Sequence, residues 1–283
     1  MNLKVNFLKN QIKQNYTIYD TIKYFKKFES ILLVSINWLK KNLSNPNLII
    51  LDTRPKTMFL LGHLPNSQSL TLDQVIEFDQ YGSNLVGDKK KLSSLFGSLG
   101  IDETKTVLIL GVSMDPSAAR VAWTFLYLGH KDTHLLESSV SELQEKGLEF
   151  TKKISTPKPL SFIVKENSKS RIDSKYLNEN LNNFLILDAR TPQEFMMGHI
   201  PNSKLIPFSE GINYDGNLFQ EKDFLEDIFS KNNISKDSEI VCYCMHGHRA
   251  SSLYIQLVIA GFEKIKLFDG SFVEWHGRGF PLE

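Results

Sequence analysis

The chain has 283 residues, of which 41% are hydrophobic and 23% charged, and its formal net charge at pH 7 is +1. This length predicts two domains, and the composition is typical of a globular protein. The near-neutral charge argues against a nucleic-acid partner, and no stretch is apolar over enough residues to predict a membrane span. Two cysteines only two positions apart form no disulfide scaffold, which favours a reducing compartment and predicts a cytoplasmic protein.

The chain begins with a lysine-rich segment, residues 1–30, that lacks the apolar core of a secretory signal. It is predicted to be an N-terminal extension. Residues 31–150 follow, in which continuous apolar runs at 47–51 and 107–110 predict strands buried on both faces, with a helical segment at 38–42 before the first of them.

A polar, proline-containing stretch at residues 151–168 reads as a linker, long enough to cross the surface of one domain. Residues 169–283 then repeat the earlier order of elements. Helical spacing at 175–182 precedes an apolar run at 184–187, and later apolar runs at 240–243 and 265–268 predict further strands. Strands that alternate with helices predict an α/β fold with a mainly parallel sheet flanked by helices in each half.

The two halves share motifs at a fixed spacing. The pattern LD-x-R occupies residues 51–54 and 187–190, and GH-x-PNS follows at 62–67 and 198–203. The interval from the aspartate to the histidine is 11 positions in both halves, and the halves are 136 residues apart. This indicates a duplicated domain. Asp188 and His199 recur in both copies and are therefore interpreted as scaffold.

A cysteine-containing loop, Cys244 to Arg249, connects the strand at 240–243 to a helical segment that begins near Leu253. Unpaired N–H groups at a helix start create positive potential and favour a thiolate, which predicts Cys244 as a nucleophile. Arg249 adds a fixed positive charge suited to an oxyanion. Cys242 lies inside the apolar strand and is interpreted as a structural residue.

The first copy lacks this nucleophile. When the strands are aligned, Gly111 stands opposite Cys244, and the loop that follows carries Asp115, which would oppose an anion. Ser113 has no evident partner base and is interpreted as structural. One active site per chain is therefore expected.

Together these residues resemble the tandem-domain rhodanese family of sulfurtransferases. The stretch 187–203, the loop 244–249 and the C-terminal stretch 269–275 resemble the second, catalytic domain of that family, and the first copy resembles its inactive domain. The resemblance implies two tandem rhodanese-like domains and no metal or organic cofactor. It also implies that the Cys244 thiolate takes sulfane sulfur from a small-molecule donor and passes it, as a persulfide, to cyanide or to a thiol, including that of a thioredoxin-like protein.

Loops with cationic side chains resemble the thiosulfate-specific members, which favours thiosulfate over 3-mercaptopyruvate as donor. The residues implied in binding are those of the loop and one arginine at a strand end, namely Met245, His246, Gly247, His248, Arg249 and Arg190. The resemblance also makes Glu194 a partner for a nearby arginine and Trp275 a core residue.

Three alternatives remain open. Cysteine phosphatases and arsenate reductases have a similar fold but hold five residues between cysteine and arginine, whereas this loop has four. The alternation of Cys242, Cys244, His246 and His248 suggests a metal site, but four donors along one strand span about 20 Å, too far for one zinc ion. A persulfide carrier that serves a partner protein shares the chemistry and differs in the acceptor alone.

Overall fold

The computed structural model describes residues 32–283, and the predicted N-terminal extension lies outside this range. Within it, none of the helices is both long and apolar enough to cross a membrane. The described chain forms two α/β units with parallel central sheets, joined by an extended segment. The fold class is therefore confirmed.

The first copy surrounds a five-stranded parallel sheet and carries a separate two-stranded hairpin. Its strands are β1 (Leu32–Val34), β2 (Leu48–Asp52), β3 (Gln68–Ser69), β4 (Ile76–Phe78), β5 (Asn84–Val86), β6 (Thr106–Leu110) and β7 (Thr133–Leu136). Its helices are α1 (Ile36–Asn42), α2 (Lys56–Leu61), α3 (Lys89–Ser98), α4 (Ser117–Tyr127) and α5 (Val140–Glu145).

The second copy surrounds a four-stranded parallel sheet. Its strands are β8 (Leu185–Asp188), β9 (Lys204–Leu205), β10 (Ile240–Tyr243) and β11 (Ile265–Leu267). Its helices are α6 (Ser174–Glu179), α7 (Pro192–Met196), α8 (Lys222–Lys231), α9 (His248–Ile259) and α10 (Ser271–Gly277).

The two sheets have matching topology. The strand order is β1-β7-β6-β2-β3 in the first copy and β11-β10-β8-β9 in the second. The place of β1 is taken in the second copy by a single parallel bridge between Arg171 and Leu267. All strands of these two central sheets run parallel, so in each sheet their carboxyl ends share one edge, where sites in such folds are built. The strand β10 ends at this edge, directly before Cys244.

The apolar strands are buried on both faces because alternate side chains enter different cores. On β6, Val107 and Ile109 pack into one cluster, while Leu108 and Leu110 pack into another. The first of these clusters continues into the second copy, where it includes Leu253. It is shared because α4 packs directly on α9 across the boundary between the copies.

The predicted linker lies along the first copy. Thr151 pairs with His63, Leu160 donates its N–H to the carbonyl of Gly97 at 2.9 Å, and Lys165 donates to Leu128 at 2.9 Å. This path brings α4 and α9 together. The antiparallel hairpin of β4 and β5 was not predicted, because its strands have three residues each and no continuous apolar run.

Candidate active site

Cys244 lies at the carboxyl end of β10, and its side chain is 1% exposed. The N–H of Gly247 donates to its sulfur at 3.1 Å, so the loop folds back over the thiol. The helix α10 supports this loop from behind. Its N–H groups at Phe272 and Val273 donate to the carbonyls of Cys244 and Met245, and the N–H of Cys244 donates to Ser271 Oγ at 3.1 Å. The loop is therefore a rigid cradle around one sulfur atom.

Gly247 is required by the shape of this loop. It has a left-handed conformation, φ +85°, and caps the N-terminus of α9. A Cβ at this position would lie 2.4 Å from the carbonyl oxygen of Asp269 and 2.7 Å from Arg120 Nη1. Only glycine combines this backbone with so close an approach.

Arg249 is fixed by a carboxylate from α7. Its two terminal nitrogens donate to the two oxygens of Glu194, each at 2.7 Å. The hydrogen bond from Arg249 lowers the pKa of Glu194 to about 2, so the pair is ionised at neutral pH. Glu194 also accepts the N–H of Thr191 at 3.0 Å in the capping box of α7. Glu194 is thus the arginine partner predicted from sequence, and it links α7 to the loop.

The two loop histidines differ in their surroundings. His248 is partly buried, and its Nε2 lies 2.8 Å from the side-chain nitrogen of Asn84 in the first copy. Desolvation, reinforced by the charge of Arg120, lowers the pKa of His248 from 6.5 to about 3. His248 therefore contributes a neutral imidazole and not the positive charge assumed from sequence. His246 Nδ1 is buried and has no hydrogen-bond partner within residues 32–283.

Arg190 is buried and bonded to neighbouring residues of the second copy. Its side chain is 1% exposed, and its guanidinium donates to Asp188 at 2.7 Å and to the carbonyl of Gly198 at 2.9 Å. The ring of Phe272 stacks on it, 4.1 Å from the guanidinium carbon. In the first copy Arg54 makes the same contacts to Asp52 and Gly62. Arg190 is thus held by scaffold residues, and its predicted contact with a donor stays a prediction.

The histidines of the repeated motif and Trp275 also belong to the scaffold. His199 Nδ1 bonds the carbonyl of Phe195 at 3.1 Å and its ring stacks on Phe195, as His63 does with Phe59 in the first copy. Trp275 is fully buried and donates its indole N–H to the carbonyl of Pro281.

Cys242 points into the shared core, where burial raises the pKa of its thiol. This environment disfavours the thiolate and agrees with a structural role. Both cysteines are free. Within residues 32–283 no three Cys, His, Asp or Glu side chains converge in an arrangement that could hold a metal ion.

The corresponding loop of the first copy has no room for a thiol. A Cβ at Gly111 would lie 2.5 Å from the Cβ of Ala118. The hydroxyl of Ser113 donates to the carbonyl of Asn213 at 2.8 Å. This hydrogen bond joins the two copies and agrees with the structural role predicted for Ser113. The first copy keeps the scaffold and fills the space that a nucleophile would need.

Three residues near the loop were not predicted from sequence: Asn84 and Arg120 of the first copy, and Asp269 of the second. Arg120 is recognisable in the sequence as a charged residue within the apolar stretch 118–123 of α4. The sequence around Asn84 has no comparable feature, because the role of Asn84 depends on a contact with a residue 164 positions away.

These features define a two-domain α/β protein with one cysteine-centred loop at the boundary between the copies. The model of the rhodanese-like domain matches residues 35–146 and 173–278, so the chain belongs to the rhodanese-like domain family. The predicted family is thereby confirmed.

The chain is similar to several named proteins. The chain is 26% identical to the sulfur carrier protein TtuD of Thermus thermophilus and 25% identical to a putative thiosulfate sulfurtransferase of Saccharopolyspora erythraea, each match covering 89% of this chain and 96% of the relative. It is 28% identical to a probable 3-mercaptopyruvate sulfurtransferase of Schizosaccharomyces pombe, over 79% of this chain and 80% of that one. The crystal structure of SseA from Escherichia coli has a similar fold, with a TM-score of 0.77 at 19% identity, covering 86% of this chain and 99% of SseA.

Proposed function

We propose that this protein is a sulfurtransferase that carries sulfane sulfur as a persulfide on Cys244, with thiosulfate as the donor. The observation that carries the proposal is the 3.1 Å hydrogen bond from the Gly247 N–H to the Cys244 sulfur. A fixed donor aimed at this sulfur stabilises negative charge on a thiolate or a persulfide without reorganisation. The names of the relatives from Saccharopolyspora and Thermus support the same chemistry.

In the first half-reaction the Cys244 thiolate attacks the outer sulfur of thiosulfate. The new bond joins the two sulfur atoms, and the sulfur–sulfur bond of thiosulfate breaks with its electron pair leaving on sulfite. The products are the Cys244 persulfide anion and sulfite, which together carry the same charge as the thiolate and thiosulfate. The reaction thus needs no metal, oxidant or reductant.

In the second half-reaction an acceptor removes the outer sulfur. Cyanide attacks it, forms thiocyanate and returns the electron pair to Cys244 as the thiolate. A thiol acceptor, such as that of a thioredoxin-like protein, takes the same sulfur as its own persulfide. Cys244 is buried, so the space beside its sulfur is small and suits a small or extended reactant.

The preference for thiosulfate rests on Arg249. Because His248 is kept neutral, Arg249 supplies the positive charge of the loop, and a sulfonate end of the donor is suited to its planar donors. Glu194 offsets part of that charge. Met245, His246 and Gly247 are proposed to line the space around the transferred sulfur.

The alternative donor is 3-mercaptopyruvate, and the alternative activity is that of a persulfide carrier. The first is favoured by the name of the relative from Schizosaccharomyces and by the neutral state of His248, the second by the name of the relative from Thermus. We place the protein in a reducing compartment such as the cytoplasm, because both cysteines are free.

The test is steady-state formation of thiocyanate, with thiosulfate and 3-mercaptopyruvate compared as donors at matched concentrations. A higher kcat/KM for thiosulfate is expected, and a higher value for 3-mercaptopyruvate would overturn the donor preference while keeping the persulfide chemistry. A single loading of sulfur without turnover would identify a carrier.

The nucleophile is tested by two matched variants. Cys244→Ser is expected to abolish both turnover and persulfide formation, and Cys242→Ser is expected to keep most of the activity with a small loss of stability, since its thiol is buried and unreactive. Persulfide on intact mass after thiosulfate treatment is the readout. Equal activity of the two variants would contradict the assignment.

A further inference from the structure

The first copy reaches across the domain boundary to the cysteine loop of the second. At the amino end of β5, the side-chain nitrogen of Asn84 lies 2.8 Å from Nε2 of His248. The Asn84 amide carries both donors and an acceptor, so this contact can hold the neutral ring of His248 in one tautomer. The backbone carbonyl of Asn84 in turn accepts a hydrogen bond from Arg120 Nη2 at 2.9 Å.

Arg120 is the second contact from the first copy. It is fully buried, and its Nη1 lies 3.5 Å from the carbonyl oxygen of Gly247, the residue whose N–H bonds the Cys244 sulfur. Desolvation lowers the pKa of Arg120 to about 10, which still leaves it charged at neutral pH. A buried charge is costly unless it is paired, and the carboxylate nearest to Arg120, that of Asp269 at 3.6 Å, belongs to the other copy.

A buried carboxylate behind the loop is shared between two arginines. Asp269 accepts hydrogen bonds from Arg171 at 2.8 Å and from the N–H of Val86 at 2.8 Å, and it lies 3.6 Å from Arg120. One carboxylate thus faces two guanidinium groups. Arg120 Nε is buried and has no hydrogen-bond partner among residues 32–283. The positive charge of Arg120 lies close enough to the Cys244 sulfur to interact with it electrostatically.

We propose that the first copy, which has no nucleophile of its own, completes the active site: Asn84 and Arg120 are positioning residues that hold His248 and Gly247 and so aim the loop N–H at the Cys244 sulfur. Neither residue needs to touch the donor. The catalytic consequence rests on the proposed sulfur transfer, whereas the positioning itself does not.

The duplication supplies a matched control. The pattern Tyr-x-x-Asn-Leu at residues 81–85 recurs 133 positions later at residues 214–218. Asn217, the counterpart of Asn84, accepts a hydrogen bond from the hydroxyl of Ser138 at 3.0 Å on the side of the first copy, where no thiol exists. The two asparagines thus make reciprocal contacts across the same boundary, and Asn84 alone of the pair bonds the cysteine loop.

The experiment compares Asn84→Ala, Arg120→Met, Arg120→Lys and Asn217→Ala in the full chain. The first readout is the rate of Cys244 alkylation by iodoacetamide in the Cys242→Ser background, which needs no sulfur donor. The second is the imidazole nitrogen signal of His248 in a nitrogen-15 spectrum. The third is kcat and KM for thiocyanate formation.

We expect Asn84→Ala and Arg120→Met to slow alkylation and lower kcat by about tenfold, the effect of losing one hydrogen bond of ordinary strength. The KM for the donor should change little. Arg120→Lys should recover part of the rate, and Asn217→Ala should leave both rates unchanged. Asn84→Ala should also replace the single tautomer of His248 by a mixture of the two neutral forms.

An unchanged alkylation rate and an unchanged His248 signal in Asn84→Ala would overturn the proposal, as would an equal loss of rate in Asn217→Ala. If Arg120→Met does not fold, Asn84→Ala and Arg120→Lys decide the question. Absence of sulfur transfer in the unaltered protein would refute the proposed function, while the alkylation and nitrogen signals would still decide whether the first copy positions the loop.

Discussion

At the scale of single residues, burial changes what the side chains of the loop can do. His248, Arg249 and Arg190 are all basic residues that the sequence groups as a cationic binding set. In the structure His248 is neutral through desolvation, Arg249 is paired with Glu194, and Arg190 is held in the interior by Asp188. The loop is therefore less positive at its surface than its sequence indicates, and a backbone N–H is a fixed donor to the sulfur.

The lowered pKa of His248 predicts a pH dependence of stability. Its pKa is about 3 in the folded protein against 6.5 without the fold, so the unfolded chain binds the extra proton at pH values between these two. The contribution of neutral His248 to the free energy of unfolding is fully present above pH 6.5 and is lost as the pH falls toward 3. We expect His248→Asn to lose less thermal stability than the unaltered protein on going from about pH 7 to about pH 5. Thermal unfolding at both pH values checks this, and parallel losses would contradict it.

At the scale of elements, the active site depends on the turn between β10 and α9. The helix begins at His248 only because Gly247 takes a left-handed conformation, and the same glycine presents its N–H to Cys244. The helix α10 holds the other end of the loop through Ser271, Phe272 and Val273. Strand, loop and helix thus form one unit in which the sulfur has a single position.

The geometry at Gly247 predicts a larger loss of activity on substitution by alanine than at Gly261, a glycine with a similar backbone conformation. Gly247 and Gly261 both have positive φ, +85° and +81°, so alanine at either position costs about 1 kcal/mol of strain. At Gly261 the nearest atom is the flexible Lys236 Nζ at 3.5 Å, whereas Gly247 faces the backbone of Asp269 at 2.4 Å. We expect Gly247→Ala to lower kcat/KM more than about tenfold and Gly261→Ala to leave it unchanged. Equal kinetics in the two variants would show that the loop tolerates a shift.

At the scale of the whole molecule, the two copies share one hydrophobic core. The cluster that contains Val107 and Phe125 of the first copy also contains Leu253 and Leu257 of the second, and α4 packs on α9 inside it. The linker lies along the first copy and forms backbone hydrogen bonds with it. Neither copy can expose its share of this core without exposing that of the other.

The shared core predicts one cooperative unfolding transition. We expect a single calorimetric peak whose calorimetric and van't Hoff enthalpies agree. Leu253→Ala, at a fully buried position of the shared cluster, should destabilise the whole chain by about 2–5 kcal/mol and shift that single peak. Met197→Ala, at a position 86% exposed, should stay within about 0.5 kcal/mol. Two separate peaks would contradict a common core.

The sequence by itself determined the features that repeat or that lie close together along the chain. The duplication, the parallel α/β architecture, the loop from Cys244 to Arg249 and the loss of the thiol in the first copy are local patterns at fixed spacing, so they are readable without coordinates. Only the tertiary structure decided that Asn84 and Arg120 contact the loop, that His248 is neutral and that Arg190 is buried. These depend on contacts between distant residues and on desolvation, and both arise when the two copies pack together.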